Sequence, residues 1–144
     1  MVRHFDHVTI AVRDMEAAKH FFALLGFEEA VAVVISGPVM DGYMGVPGIE
    51  AEHVTLALRG AVPRLEVQLL RYHHPAVPDD PRAARLDRLG LNHICFAVDD
   101  VVAEVARLEA AGVTRRNEIM NFHGRKLVFL DGPEGVVVEL SERP

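Results

Sequence analysis

The sequence predicts an α+β fold, in which two tandem βαβββ modules form a curled eight-stranded sheet. Residues 91–100, LNHICFAVDD, repeat the pattern of residues 5–14, FDHVTIAVRD. In both segments apolar residues first alternate, as in a half-buried strand, and then recur at helical spacing after an aspartate. Three further strand-like runs, separated by turn residues, follow each helix. A short β-α unit has therefore been duplicated, and three further strands follow it in each copy.

The duplication also predicts where each helix begins and ends. Asp14 and Asp100 occupy equivalent positions directly before the helical spacing starts. Their carboxylates can accept the free amide hydrogens of a first helical turn, so we expect both to be N-caps. Gly26 and Gly112, which are also equivalent, follow the last apolar residue of each helix. Glycine is favoured there because a left-handed backbone conformation costs it little.

The remaining strands define the module boundaries. We predict one domain over residues 1–144, with module 1 at about 1–71, a Pro-rich joint at about 72–90 and module 2 at about 91–144. A loop at 36–50 interrupts the first module. The predicted strands after the helices are 27–35, 52–59, 64–71, 113–119, 126–130 and 135–141.

Composition and charge exclude several classes of protein. A net charge of −6 argues against a nucleic-acid or anionic-membrane partner, since either requires a basic face. No apolar run approaches the roughly 20 residues of a spanning helix, and a signal peptide is not expected. The single cysteine, Cys95, fits a reducing cytoplasm and is expected to be a small buried strand residue. We therefore expect a cytoplasmic protein with a small-molecule substrate.

Two histidines and two glutamates occupy matching positions of the repeat. His7 and His93 lie on the first strand of each module, and Glu66 and Glu139 lie within apolar runs on the last. A carboxylate inside an apolar strand is costly to desolvate unless it is paired or coordinates a cation. Because all four sit at repeat-related positions, the sequence predicts that they hold one divalent metal ion in a cleft.

The same segments resemble the vicinal oxygen chelate superfamily, which includes glyoxalase I, methylmalonyl-CoA epimerase, extradiol dioxygenases, and fosfomycin and bleomycin resistance proteins. In such proteins the strand positions matching the four predicted ligands hold the metal. The resemblance also implies a homodimer with two metal sites, each built within one chain or from modules exchanged between two chains. The segments that carry it are FDHVTIAVRDMEAAKHFFALLGF, RLEVQLLRY, LNHICFAVDDVVAEVARLEAAGV and FLDGPEGVVVELSE.

The ligand set limits the metal and the chemistry. Two imidazoles and two carboxylates suit Ni, Co, Mn, Fe or Zn, and leave positions for two neighbouring substrate oxygens. The resemblance implies enolisation of a chelated carbonyl or thioester, with a ligand carboxylate as the base: Glu139 by preference, otherwise Glu66. The full His/Glu/His/Glu set favours a glyoxalase I-like reaction, whereas the long joint favours a methylmalonyl-CoA epimerase-like one. The sequence leaves both open.

Two other functions are weaker alternatives. An extradiol-type Fe(II) dioxygenase resembles this fold but uses two histidines and one carboxylate, so Glu66 would be surplus. A metal-free drug-binding resistance protein would need aromatic stacking surface, and this chain has no Trp and two Tyr. Both alternatives therefore fit the sequence less well than a metal-dependent lyase or isomerase.

Two loops carry further candidates for substrate contact. Tyr43 and Met44 lie in the 36–50 loop, where soft apolar side chains can close over a substrate. His123 and Arg125 lie in the corresponding loop of the second module, where a cation can meet a substrate carboxylate or phosphate.

Overall fold

A computed structural model describes residues 1–144 and confirms the predicted α+β fold. The chain forms two compact units, Met1–Asp79 and Asp80–Pro144. Each unit contains one four-stranded sheet and one long helix in the predicted βαβββ order. The division between the units falls inside the predicted joint. No helix has the length and apolar character needed to cross a membrane.

The first unit is a mixed sheet of order β1-β4-β3-β2, in which β1 is parallel to β4 and the other pairs are antiparallel. The last strand extends three residues into the segment predicted as the joint. The elements are β1 (His7–Ala11), α1 (Met15–Leu24), β2 (Phe27–Ser36), α2 (Pro38–Met44), β3 (Glu50–Leu58) and β4 (Glu66–His74).

The second unit repeats this topology, with the order β5-β8-β7-β6 and β5 parallel to β8. Its strands are shorter, and one turn of 3-10 helix at Pro133–Gly135 precedes the last strand. The elements are β5 (Ile94–Ala97), α3 (Val101–Ala110), β6 (Met120–Phe122), β7 (Arg125–Asp131) and β8 (Val137–Glu142).

Both predicted helix starts are confirmed. The Asp14 carboxylate accepts the amide hydrogen of Ala17 at 2.9 Å, and the Asp100 carboxylate accepts that of Ala103 at 2.9 Å. The glycine that follows each helix has a φ of 92°. A residue with a β carbon is strained at that angle, which explains why glycine recurs in both copies.

Each long helix buries one apolar face. In α1 the Phe22 ring is fully buried and packs edge to face against Phe21 and Phe27, with centroid distances of 5.2 and 5.7 Å. Such apolar faces are the main source of stability for a helix on a sheet. The buried helix residues are Met15, Ala18, Phe21 and Phe22 in α1, and Val101, Val105 and Leu108 in α3.

The loop predicted at 36–50 contains a helix, α2. Pro38 occupies its first turn, where a missing amide hydrogen costs nothing and the fixed φ suits a helix. Asp41 then accepts the amide hydrogens of Gly48 and Ile49, both at 2.9 Å. These side-chain bonds order the segment between the helix and β3, which the glycine and proline content alone did not predict.

The prediction of a regular strand at 113–119 was wrong. Within that segment one isolated bridge joins Arg115 to Leu130, and the regular strand β6 begins later, at Met120. The Asn117 side-chain oxygen accepts the amide hydrogen of Phe129 at 2.8 Å. A side chain thus takes the place of a backbone carbonyl, and the ladder is interrupted there.

One carboxylate joins the last strand of the second unit to its helix. Glu142 accepts a hydrogen bond from the Lys126 ammonium at 2.7 Å and another from the Val101 amide at the start of α3, at 2.8 Å. The bond from Lys126, and next the backbone bond, hold the pKa of Glu142 below its usual value. A carboxyl whose pKa is lower folded than unfolded stabilises the fold above its unfolded pKa, and this stabilisation disappears as the pH falls through the folded pKa.

We therefore expect Glu142→Gln to lower the melting temperature at neutral pH and to have no effect in acid. Melting curves recorded by circular dichroism across the acidic range measure the difference. Glu118→Gln is the matched control, because that side chain is 89 % exposed and pairs with Arg115 on the surface. A difference between wild type and Glu142→Gln that stayed constant with pH would contradict the electrostatic role of this carboxylate.

Candidate metal centre

The first unit brings His7 and Glu66 together. The two residues face each other in the β1–β4 ladder. The His7 Nδ1 lies 2.6 Å from a carboxylate oxygen of Asp6. The ligand atoms of Asp6, His7 and Glu66 all lie within 4.8 Å of one another. A carboxylate that accepts from Nδ1 leaves Nε2 unprotonated and free to bind a cation. Asp6 was not among the residues predicted from the sequence, although it directly precedes His7.

Glu66 is held from two sides. Its two carboxylate oxygens accept hydrogen bonds from Arg64 at 2.6 Å and from the Gln68 amide at 3.0 Å. The Arg64 bond, and then the Gln68 bond, lower the pKa of Glu66. Its side chain is only 17 % exposed. Glu66 is therefore an ionised, oriented carboxylate at neutral pH, which is the state that a metal ligand requires.

A further histidine extends this network. The Nε2 of His53, on β3, lies 3.0 Å from the side-chain oxygen of Gln68. The ladder places His53, Gln68 and Glu66 on one face of the first sheet. Neither His53 nor Gln68 was among the sequence-predicted site residues. Their contacts depend on which strands pair and in which register.

The second unit brings His93 and Glu139 together. The His93 Nε2 lies 3.2 Å from a carboxylate oxygen of Glu139, whose side chain is 12 % exposed. The other ring nitrogen lies 2.8 Å from the side-chain oxygen of Asn92 and donates to it. The imidazole also packs edge to face on Phe129, with ring centroids 5.1 Å apart. Two neighbours thus fix this ring with Nε2 towards the carboxylate.

Cys95 lies beside Glu139 and is exposed, contrary to the expectation that it would be buried. Its sulfur donates to a Glu139 oxygen at 3.5 Å. Partial burial of the thiol, followed by the charge and hydrogen bond of Glu139, raises its pKa to about 11, while the charges of Arg125 and Arg143 oppose this rise. At neutral pH the group is a thiol and neither a nucleophile nor a thiolate ligand.

Strand register in the two units differs from the simple repeat. In the first ladder Thr9 faces Gln68. In the second ladder Cys95, which is equivalent to Thr9 in the duplication, faces Glu139. By strand pairing, the counterpart of Glu139 is therefore Gln68, two residues from Glu66. Both residues point to the same face of β4, so the register makes Gln68 a second candidate for the donor from this strand.

The chemistry of these donors fits a divalent metal. Each unit presents an imidazole nitrogen within reach of a side-chain carboxylate oxygen, and both histidines have the Nδ1 partner typical of metal ligands. Mixed nitrogen and oxygen donors accommodate Ni, Co, Zn, Mn or Fe. The pairs His7–Glu66 and His93–Glu139 are formed in the structure, and the complete four-ligand set remains a prediction.

Three of the four predicted substrate-loop residues lie on regular elements, and the fourth lies in a tight turn. Tyr43 and Met44 belong to α2, and Tyr43 is exposed. His123 and Gly124 form the two-residue turn between β6 and β7, with φ values of 50° and 74°. Positive φ at both positions is typical of the tight turn that closes a hairpin. Arg125 is the first residue of β7, so this segment is the tight end of a hairpin.

Comparison with known proteins agrees with this fold. The sequence profile of the glyoxalase/bleomycin resistance protein/dioxygenase superfamily matches residues 6–129. The chain belongs to this superfamily. A crystal structure of another member, a glyoxalase family protein from Bacillus cereus, superimposes with a TM-score of 0.87 and 23 % identity, covering 99 % of this chain and 95 % of that one. The resemblance identified from the sequence is confirmed.

Two epimerases are among the similar superfamily members. The chain is 29 % identical to the ethylmalonyl-CoA/methylmalonyl-CoA epimerase of Cereibacter sphaeroides over 99 % of both proteins. It is 30 % identical to the mitochondrial methylmalonyl-CoA epimerase of Homo sapiens, over 95 % of this chain and 72 % of the human protein.

Proposed function

We propose that this protein is a metal-dependent epimerase that inverts the carbon beside the carbonyl of a coenzyme A thioester. The observation that carries the proposal is the pair of oriented carboxylates, Glu66 and Glu139, each beside a histidine in its own unit. Similarity to two methylmalonyl-CoA epimerases along almost the whole chain supports the substrate class.

We infer that the donors of the two units bind a single divalent ion. The proposed ligands are His7, His93, Glu139 and, from β4, either Glu66 or Gln68. When bound, the metal supplies a Lewis acid that polarises the thioester carbonyl and makes the neighbouring carbon more acidic. As the family resemblance implies, we expect a homodimer with two such sites.

The chain's own groups prepare these donors. Asp6 and Asn92 each accept from the Nδ1 of a candidate ligand histidine, which leaves the Nε2 of each ring free to bind a cation. Arg64 keeps Glu66 ionised and fixes its carboxylate. These contacts hold the side chains in productive rotamers before a substrate arrives, so little reorganisation is needed during the reaction.

Inversion of a carbon requires a proton to leave from one face and another to arrive on the opposite face. Two carboxylates supply one acid and one base for this purpose. We assign one proton transfer to Glu139 and the other to Glu66. The neutral thiol of Cys95 donates to a Glu139 oxygen, which orients that carboxylate.

A glyoxalase I-like isomerisation of a hemithioacetal is the second candidate. The position of Glu66 directly opposite His7 favours it, because this placement completes a His/Glu/His/Glu set. The same residue counts against the Fe(II) dioxygenase, which has three protein ligands. The carboxylates also count against a metal-free drug-binding protein, since such a protein does not require acids that are each held beside a histidine.

A substrate panel tests the proposed function. Protein stripped with a chelator and reloaded with Ni, Co or Fe(II) is assayed on methylmalonyl-CoA, methylglyoxal–glutathione hemithioacetal and catechol. We expect exchange of the α-proton of methylmalonyl-CoA with deuterium, followed by NMR, to depend on added metal. Turnover of the hemithioacetal alone would favour the second candidate, and cleavage of catechol would overturn both.

A further inference from the structure

Two arginines lie on the face of the second sheet that carries His93 and Glu139. The β7–β8 ladder ends with Lys126 opposite Glu142, whose side chains bond to each other on the helix side of the sheet. Because side chains alternate along strands, the adjacent Arg125 and Arg143 point to the other side. Continuing the ladder by one residue places these two arginines opposite each other.

The two guanidinium groups have no acidic partner. Neither Arg125 nor Arg143 takes part in an ion pair or side-chain hydrogen bond, whereas Arg107 on the helix of the same unit pairs with Glu104. Like charges directly opposite each other on neighbouring strands are destabilising. In a chain with a net charge of −6, two cations without an acidic partner are unusual on the face of the candidate metal ligands. An anion is the partner that would relieve the repulsion.

The surface between the arginines and Glu139 is also suited to a ligand. Ser141 lies between Glu139 and Arg143 on the same face, is 3 % exposed, and its hydroxyl makes no hydrogen bond. Leu127 faces Ser141 and Phe129 faces Glu139 across the ladder. A buried hydroxyl without a partner costs free energy unless a further group satisfies it. The Ser141 hydroxyl is therefore a buried polar group on this face that the protein itself leaves unsatisfied.

We propose that Arg125 and Arg143 bind an oxyanion group on the carrier portion of the substrate, remote from the reacting carbon. The carrier is the thiol compound to which the reacting acyl group is attached. Arg143 follows Glu139 by four positions along the chain, which corresponds to about 13 Å between their backbone positions. The arginines thus lie further along the sheet than Glu139, which in this proposal places them nearer to the carrier than to the reacting acyl group. The proposal rests on the proposed function, in that the carrier is joined to an acyl group that reacts near Glu139.

Phosphate and carboxylate share the chemistry that arginine recognises, and two carriers distinguish them. Coenzyme A bears phosphates, whereas glutathione bears only carboxylates. Binding of each free carrier to the metal-loaded protein is measured by calorimetry for the wild type, for the double variant Arg125→Ala with Arg143→Ala, and for Arg59→Ala with Arg107→Ala. The last variant is a control of equal charge change, because it also removes two arginines, both from surface ion pairs. We expect the double variant to bind coenzyme A about tenfold more weakly and the control to match the wild type.

Epimerisation kinetics supply a second measurement. The double variant should raise KM for a coenzyme A thioester about tenfold with little change in kcat. For the phosphate-free N-acetylcysteamine thioester, its KM should equal that of the wild type. The affinity of the wild type for coenzyme A should also fall as NaCl is added. This measurement does not depend on whether a variant folds.

The outcomes separate this inference from the proposed function. Binding of coenzyme A that depends on the arginines, in a protein without epimerase activity, would uphold the anion site and reject the epimerase. Epimerase activity with carrier binding that neither substitution nor salt alters would reject the anion site alone. Binding of glutathione that requires the arginines, without binding of coenzyme A, would assign the site to carboxylates.

Discussion

Glu139→Gln is expected to reduce the rate of epimerisation by roughly 100- to 10,000-fold, the range associated with loss of a general acid–base group. The substitution keeps the size of the side chain and an oxygen that can accept from Cys95, which lies 3.5 Å from the carboxylate. It removes the ability to take up a proton at neutral pH. If Glu139 serves one face of the carbon and Glu66 the other, the loss falls unequally on the two epimers.

Proton exchange measured separately for each epimer therefore tests this prediction most directly. In deuterated water the Glu139→Gln variant should still exchange the α-proton of one methylmalonyl-CoA epimer, through Glu66, and should fail to exchange that of the other. NMR of each pure epimer distinguishes the two cases. Glu118→Gln, a change at an exposed surface glutamate, is the control. Full exchange of both epimers by the Glu139 variant would remove this residue from the proton-transfer step.

Local signals made most of the fold predictable from the sequence. The two helices were found because capping aspartates, apolar spacing and terminal glycines are all encoded within about a dozen residues. The structure confirms them with cap distances of 2.9 Å at Asp14 and Asp100. The strands of the first sheet were found in the same way, from alternation between turn residues.

The elements that were not predicted depend on side chains that accept hydrogen bonds from backbone amides. Asn117 interrupts the edge ladder by bonding to Phe129, and Asp41 orders the residues after α2 by bonding to two amides. Neither contact follows from periodicity, because each depends on which segment the side chain meets once the chain is folded. Turn residues in a sequence therefore indicated where regular structure ends but not what replaces it.

The candidate site could also be predicted in part from the sequence. The duplication predicted His7, Glu66, His93 and Glu139, and the structure brings His7 close to Glu66 and His93 close to Glu139. The duplication selected Glu66 on β4 and gave no reason to consider Gln68, since residues two apart lie on one face and register is set by the neighbouring strand. The hydrogen bond between His53 and Gln68 joins two strands, and the sequence alone did not predict it either.

Strand register now predicts which residue of β4 binds the metal. Gln68, the counterpart of Glu139 by pairing, is expected to be the ligand. Gln68→Met, which keeps the shape but removes the donor oxygen, should weaken metal binding by at least about 10- to 100-fold, the cost typical of losing a group that only orients a ligand. Glu66→Gln should instead retain most of the metal and lose turnover, because it removes the second proton carrier and leaves the donors in place.

Metal content and affinity separate these cases more directly than activity. Titration with Co(II), followed by its absorption spectrum and by competition with a chelator, measures both in the two variants and in the wild type. A loss of Co(II) affinity in Glu66→Gln with none in Gln68→Met would restore the His/Glu/His/Glu set that the repeat alone predicts. If neither variant altered metal binding or activity, β4 would supply no donor, and a three-ligand site of the oxygenase kind would become the better explanation, since His7, His93 and Glu139 would then suffice.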